Sequence, residues 1–333
     1  MRAIRLHAFG PAENLTYEEV PDPVPGPGQV LIAVTAAGVH LLDTVLREGE
    51  QGPYPEPIPL PTIPGREVAG TVKALGEGTD AKWLGRRVVV HIGMNPGGYA
   101  EQVVTDAERL QVVPETVGDA EAVAMIGTGR TAMGILQFAE LGPDSIAIVS
   151  AAAGGIGTLA VQYAKNAGAT VVGLAGGPGK VTRTLANGAD IAVDYTDPTW
   201  PDEVRAYLGD RRATVYFDAV GGTIGRAAVD LLGKGGRHLV YGWAGERGAQ
   251  GGEPLLLSEE EQAERGVETV YVLGPKMLEL VGGDIRRLED RALDEVATGR
   301  LLPAVHRFPL ADAARAHRAL ETRGTIGKVV LVP

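Results

Sequence analysis

The chemistry most plainly written in this chain lies in the run Ala152-Ala153-Gly154-Gly155-Ile156-Gly157, which follows the apolar stretch Ile146 to Ser150 and opens the amphipathic segment IGTLAVQYAKNAGA. The spacing is that of G-x-G-x-x-G with alanine in the first place. Small residues are required there: Gly154 lets the backbone approach a pyrophosphate, and Gly157 lets helix and strand pack closely. The N–H groups around Ala153, Gly155 and Ile156 open the helix that offers donors to an anion. The pattern alone is weak, but between a strand and a helix of a βαβ unit it reads as a dinucleotide site. An NAD site places Asp or Glu at the end of the next strand, about 20 residues on. Here Ala175 and Gly176 stand in that place, with Lys180 and Arg183 beyond them. Such cations suit a 2′-phosphate through charge-assisted bonds, so the expected cofactor is NADP(H).

Composition narrows the remaining chemistry. The chain has no cysteine, which removes disulfides, thiol nucleophiles and thiolate metal sites. Its three serines lie outside any G-x-S-x-G, and no H-E-x-x-H occurs. A net charge of −11 without a basic cluster argues against nucleic acid. No apolar run reaches bilayer length and the N-terminal stretch has no signal-peptide pattern, so a cytoplasmic protein without a membrane partner is expected.

The 333 residues are enough for about two domains. Residues 1–122 read as β-rich, with short apolar runs (Val30 to Val34, Gly70 to Ala74, Arg87 to His91, Ala100 to Val104) between Pro- and Gly-rich loops. From about residue 129, apolar strands alternate with helical segments: Ile146 to Ser150, Val171 to Ala175, Ile191 to Tyr195, Val215 to Val220, Arg237 to Tyr241 and Val267 to Leu273. That alternation implies an α/β fold with a doubly wound parallel sheet. Val220 and Gly221, like Gly242 and Trp243, then fall at carboxyl ends of strands, where a dinucleotide crosses. A helix from roughly Met277 to Ala297 is expected next, and the terminal KVVLVP is expected to rejoin the first domain.

Taken in order, PGPGQVLIAVTAAGVHLLD, PTIPGREVAGTV, GRRVVV, GGYAEQVV, GTGRTA, SAAAGGIG, VDYTD, FDAVGG and GKVVLVP resemble the medium-chain dehydrogenase/reductase superfamily, and within it the zinc-free quinone oxidoreductase group. The resemblance covers nearly the whole chain. It implies a Rossmann domain (123–273) inside a split GroES-like catalytic domain (1–122, completed by 274–333), an active site between the two, and a homodimer paired along Val267 to Leu273. Zinc-dependent relatives carry Cys where this chain has His40, His where it has Arg66, and Cys near Gly127, so no metal is expected.

The resemblance also implies the substrate side. His40 stands where quinone reductases commonly have Asn; Asp43 is retained; Tyr54 corresponds to a substrate-side Tyr. His40 is read either as a proton or hydrogen-bond donor or as a packing residue, and Asp43 as a group that orients a neighbour. Thr131 matches a threonine that packs on the nicotinamide, and Tyr195 a tyrosine near the adenosine 2′-phosphate. Arg130 reads as an exposed residue at a helix start, with an acidic group of the substrate or a phosphate as its alternative partners, the other histidines as structural, and GERGAQGGEP as a surface loop or gate. The implied activity is NADPH-dependent reduction of quinones or α,β-unsaturated carbonyls, which need no Lewis acid. The alternatives are an enoyl-thioester reductase of polyketide or secondary metabolism, and a non-catalytic NADPH-binding sensor or structural protein.

Overall fold

A computed structural model describes residues 1–50, 52, 58–93, 96–244 and 253–333. Two compact units are present, Met1–Gly127 with Ala304–Pro333, and Thr128–Pro303. The return to the first unit, expected at residue 274, lies instead at Ala304. The helix Ile285–Ala297 stays with the second unit because it buries Leu288, Ala292 and Leu293 and because Glu289 pairs with Arg130 at 2.6 Å. Nor is the expected helix continuous from Met277. A short turn of helix Pro275–Leu278 ends before Gly282 and Gly283, whose φ values of +68° and +82° interrupt it.

In the second unit six parallel strands lie in the spatial order Ile191–Asp194, Thr170–Ala175, Ile146–Val149, Ala213–Asp218, Leu232–Val240, Glu268–Tyr271. Counted along the unit, this is 3-2-1-4-5-6, the Rossmann order, with its reversal between the first and fourth strands. Ile146–Val149 is buried at every residue, as a strand covered on both faces must be. The core gathers Ile148, Val172, Leu174, Tyr216, Val229 and Trp200.

In the first unit a seven-stranded sheet runs Val305–Pro309, Lys328–Val332, Gln29–Val39, Glu67–Leu75, Arg87–His91, Gln111–Val112, and Gln102–Asp106 also pairs with Gln29–Val39. Gln29–Val39 alternates buried and partly exposed residues along its first half, so one face carries the core of Val30, Ile32, Val68, Val88 and Leu331. The final strand pairs antiparallel with Gln29–Val39 in the register Val329 to Val39, and Glu67–Leu75 flanks the other side with Val68 opposite Ala37. Three strand ends, at Lys328, Val39 and Glu67, are thereby brought side by side. Among the described residues no helix is long and apolar enough to cross a membrane.

Candidate active site and dinucleotide cradle

In the second unit, the glycine-rich turn is built as its sequence requires. Gly154 caps the helix Gly155–Asn166 in extended conformation, leaving the first-turn N–H groups of Gly155, Ile156 and Gly157 without intrahelical acceptors. Ala152 and Ala153 are buried, and a Cβ at Gly157 would overlap the carbonyl of Ala151. Ala151 itself adopts φ +47°, which sharpens the turn from strand to helix.

At the next strand end, the Tyr195 ring lies over Gly176, where a Cβ would come within 3.1 Å of its hydroxyl, and Tyr195 N donates to Ala175 O at 3.0 Å. Gly177 N donates to Asp194 Oδ1 at 3.0 Å, which fixes the turn leading into the helix Pro178–Ala186 that carries Lys180 and Arg183. Gly176, Tyr195 and the start of that helix thus lie together; the strand Thr170–Ala175 itself ends without an acidic residue, and the neighbouring Asp194 carboxylate is taken up by Gly177 N.

The fourth strand ends on a buried hub. Asp218 Oδ1 accepts from Tyr216 Oη at 2.9 Å, Val220 N at 2.9 Å and Gly221 N at 2.8 Å, while Oδ2 faces His238 Nε2 at 3.0 Å. This carboxylate fixes the backbone of the Val220–Gly221 turn. Gly242 must lack a side chain because its Cβ would sit 2.6 Å from Ala219 O, and Trp243 packs against Tyr271 with ring centres 6.5 Å apart.

A polar cluster occupies the three strand ends of the first unit. Glu67 is fully buried; its Oε1 lies against His40 Nε2, and its Oε2 is 3.0 Å from Lys328 Nζ. Lys328 Nζ in turn meets His40 Nε2 at 2.8 Å. Burial alone would raise the Glu67 carboxyl, but the charges of His40 and Lys328 overcome it and hold Glu67 well below the ordinary carboxylate range. Burial lowers the Lys328 ammonium, against the opposing pull of Glu67. Two glycines make room for this carboxylate, since a Cβ at Gly38 or at Gly127 would collide with its oxygens. Gly127 belongs to a π-helical turn, Met125–Gly129. Gly327, at φ +72°, packs where a Cβ would strike Ala304 O and so turns the chain to deliver Lys328.

Beside this cluster, Asp43 Oδ2 accepts from His40 N at 2.8 Å and from Tyr99 Oη at 3.0 Å, and Arg66 Nε lies 3.7 Å from Oδ1. The Asp43 amide donates to His40 O at 3.0 Å; it also lies toward the imidazole, but without hydrogen-bond geometry. Tyr99 Oη also meets His317 Nε2 at 3.2 Å. With Tyr99 donating to Asp43, His317 must donate through Nε2, and burial pushes its pKa down to about 4. The Tyr99 hydroxyl is held well above its ordinary pKa by burial and by Asp43.

Comparison with known proteins places these features. Residues 26–115 match the alcohol dehydrogenase GroES-like domain, and residues 155–270 match the zinc-binding dehydrogenase family. A 2-haloacrylate reductase of a Burkholderia species is 30% identical over 337 residues, covering 98% of each chain. A Pseudomonas aeruginosa quinone oxidoreductase is 30% identical over 336 residues, covering 100% of this chain and 99% of the other. The crystal structure of Escherichia coli quinone oxidoreductase complexed with NADPH superposes with a TM-score of 0.83 at 26% identity, covering both chains fully. The chain belongs to the medium-chain dehydrogenase/reductase superfamily, in its zinc-free quinone oxidoreductase group.

The family description that matches residues 155–270 speaks of zinc, yet the donor set of this medium-chain reductase does not fit it. The chain has no cysteine, Arg66 is a permanent cation, and His40 Nε2 and Glu67 are already engaged by an internal ammonium. A side chain at Gly127 would displace Glu67.

The structure brings His40 and Asp43 together, whereas Tyr54 and residues 245–252 of the glycine-rich loop lie outside the described residues. Thr131 is half-buried in the helix Arg130–Leu136. Arg130 is not exposed: its side chain is 14% accessible and its guanidinium is bound to Glu289. Lys328, Tyr99, His317 and Asp218 were not singled out as site residues in the sequence. Lys328 did carry a signal there, as a lone cation opening an otherwise apolar final strand.

Proposed function

We propose that this oxidoreductase uses NADPH to reduce a quinone or an α,β-unsaturated carbonyl without a metal. The observation that carries the reading is the closed cluster of His40, Glu67 and Lys328, in which a protein ammonium takes up the donors a metal would need. NADPH supplies the hydride when bound. The acceptor then has to be electron-poor enough to take hydride without Lewis-acid polarisation.

The first turn of Gly155–Asn166, with Ala153 and Gly154 before it, is proposed to hold the pyrophosphate, and Gly176, Lys180 and Tyr195 the 2′-phosphate. Val220, Gly242, Trp243 and Thr131 are proposed to border the dinucleotide, and Tyr54 the acceptor. His40 is proposed to donate a hydrogen bond or proton to the oxyanion that hydride addition creates, while Asp43 orients it through the His40 amide. The strand Glu268–Tyr271 stands at the edge of its sheet and is the proposed seam of a homodimer, which light scattering of the purified protein would test.

The deciding experiment follows loss of nicotinamide absorbance against quinones, enones, 2-haloacrylate and an enoyl thioester, with NADH in parallel. Turnover of quinones or enones that prefers NADPH is expected. A strong preference for the thioester would move the substrate class, and NADPH binding without turnover on any acceptor would overturn the enzymatic reading.

A further inference from the structure

The strand Ala213–Asp218 ends on a buried carboxylate that apolar packing alone would not call for. Asp218 is fully buried, and among the described residues its ion-pair partner is His238, also fully buried. Apolar residues can often replace such a pair without loss of stability, so what the pair holds in place matters more than its own attraction. Asp218 Oδ1 takes the amides of Val220 and Gly221 together with the Tyr216 hydroxyl, which leaves Oδ2 to His238 Nε2 at 3.0 Å. A carboxylate oxygen only accepts, so Nε2 donates. The imidazole is held from other sides as well. It stacks on Tyr216 with ring centres 5.3 Å apart and 3° between the planes, and its Nδ1 lies 3.3 Å from Thr269 Oγ1 on the neighbouring strand.

The turn that Asp218 holds would not hold itself. Gly221 has φ +63° and ψ −155°, and Gly222 has φ +57°, conformations open to glycine and costly in entropy to keep. The same turn lies against the glycine-rich one, because Ala219 N donates to Ser150 Oγ at 2.9 Å and Ser150 immediately precedes Ala151. We propose that His238 is a positioning residue for the cofactor: it keeps Asp218 aimed at Val220 N and Gly221 N, so that this border of the dinucleotide site has its bound shape before NADPH arrives. The inference rests on the cofactor reading above, in which Val220 borders the dinucleotide. Without the Nε2 donor, Oδ2 would be a buried acceptor with no partner, and the carboxylate would turn to find one and release the amides. The site would then be competent only part of the time, and its affinity would fall by that fraction.

The test begins with wild-type protein free of cofactor, by amide hydrogen exchange followed with NMR. The Val220 and Gly221 amides are expected to exchange as slowly as that of Phe217 in the preceding strand, and to gain little when NADPH is added. Fast exchange that slows only with NADPH overturns the proposal, even if no variant folds. Calorimetric titration with NADPH then compares two substitutions. His238→Leu, which fills space but donates nothing, should weaken binding about 30-fold, because the cofactor must then order the two-residue turn itself. His238→Gln, whose side-chain amide can donate to Asp218 Oδ2 as Nε2 does, should bind within about threefold of wild type. A merely structural role would lower the urea midpoint of His238→Leu while the folded protein binds NADPH as tightly as wild type, and that result overturns the proposal. So does a His238→Gln variant that folds as stably as wild type yet binds as weakly as His238→Leu. Wild-type protein that binds no NADPH would overturn the cofactor reading and this proposal with it. No acceptor enters these readouts, so a failure of the reductase reading is told apart from a failure of the role given to His238.

Discussion

Replacing Glu67 by Gln keeps its shape and removes its charge, and the structure sets the size of the result. Lys328 would then be a buried ammonium without its carboxylate, in a place only 4% accessible. Breaking one partner of such a pair costs about 3–5 kcal/mol. An upper bound comes from the lysine itself: losing its proton at pH 7 from an ordinary pKa near 10.4 costs about 4.6 kcal/mol, so the penalty cannot grow much beyond that. With a urea slope of about 3 kcal/mol/M, the unfolding midpoint should fall by about 1–1.7 M. Glu67→Gln combined with Lys328→Met should recover much of this, because the second change removes the stranded charge. The double-mutant cycle should therefore give a coupling of about 2 kcal/mol or more. The pH dependence has a definite sign. Glu67 is depressed in the folded protein, so its stabilisation is complete above the ordinary carboxylate pKa and is lost as pH falls through the folded value. The gap between wild type and Glu67→Gln should thus narrow only in acid, below about pH 4. Urea titrations by circular dichroism at several pH values would measure all of this. A Glu67→Gln penalty under about 1 kcal/mol, or a double variant as unstable as the two single losses added, would refute the reasoning.

Three further outcomes are expected. His317 is buried with its pKa lowered to about 4, so the unfolded chain binds more protons between that value and 6.5; stability should rise by about 3 kcal/mol across this window as pH increases, and His317→Gln should flatten the slope in urea titrations. Gly157→Val would force a side chain into the carbonyl of Ala151, and calorimetric titration should show NADPH affinity lost while far-ultraviolet dichroism of the chain is retained. Lys180→Ala should raise the KM for NADPH about tenfold and leave that for NADH nearly unchanged, since one charge-assisted bond to a phosphate is worth about 1.5 kcal/mol or more; equal changes for both cofactors would remove Lys180 from the 2′-phosphate site.

Local sequence was enough wherever the chemistry is local. The turn from Ala152 to Gly157 and the absence of an acid after Thr170–Ala175 depend on neighbours within one βαβ unit, where steric demands act over a few residues. The six strands of the parallel sheet and most of those in the seven-stranded sheet were legible for the same reason, because burial on one face or two leaves a period in the apolar residues, whereas the short Gln111–Val112 and the edge strand Val305–Pro309 were not. The end of the second unit was not legible. Whether Ile285–Ala297 packs on one unit or the other depends on its partner surface, and Glu289 finds Arg130 across 159 positions of sequence. Tyr99 and His317 looked ordinary in sequence for a similar reason: their role is to meet Asp43, and the meeting is made by packing.

The cluster at His40 divides the two kinds of information most clearly. The sequence by itself determined that no thiolate could bind a metal, that Arg66 stands where zinc relatives have a ligand, and that His40 and Glu67 are present. Only the tertiary structure decided what fills their neighbourhood. Lys328 is 288 positions from His40, and it arrives there through the antiparallel register of Val329 with Val39, with Gly38, Gly127 and Gly327 clearing the space. A charge can be read from one residue. The partner that makes a buried charge tolerable is chosen by strand register, which no local pattern encodes.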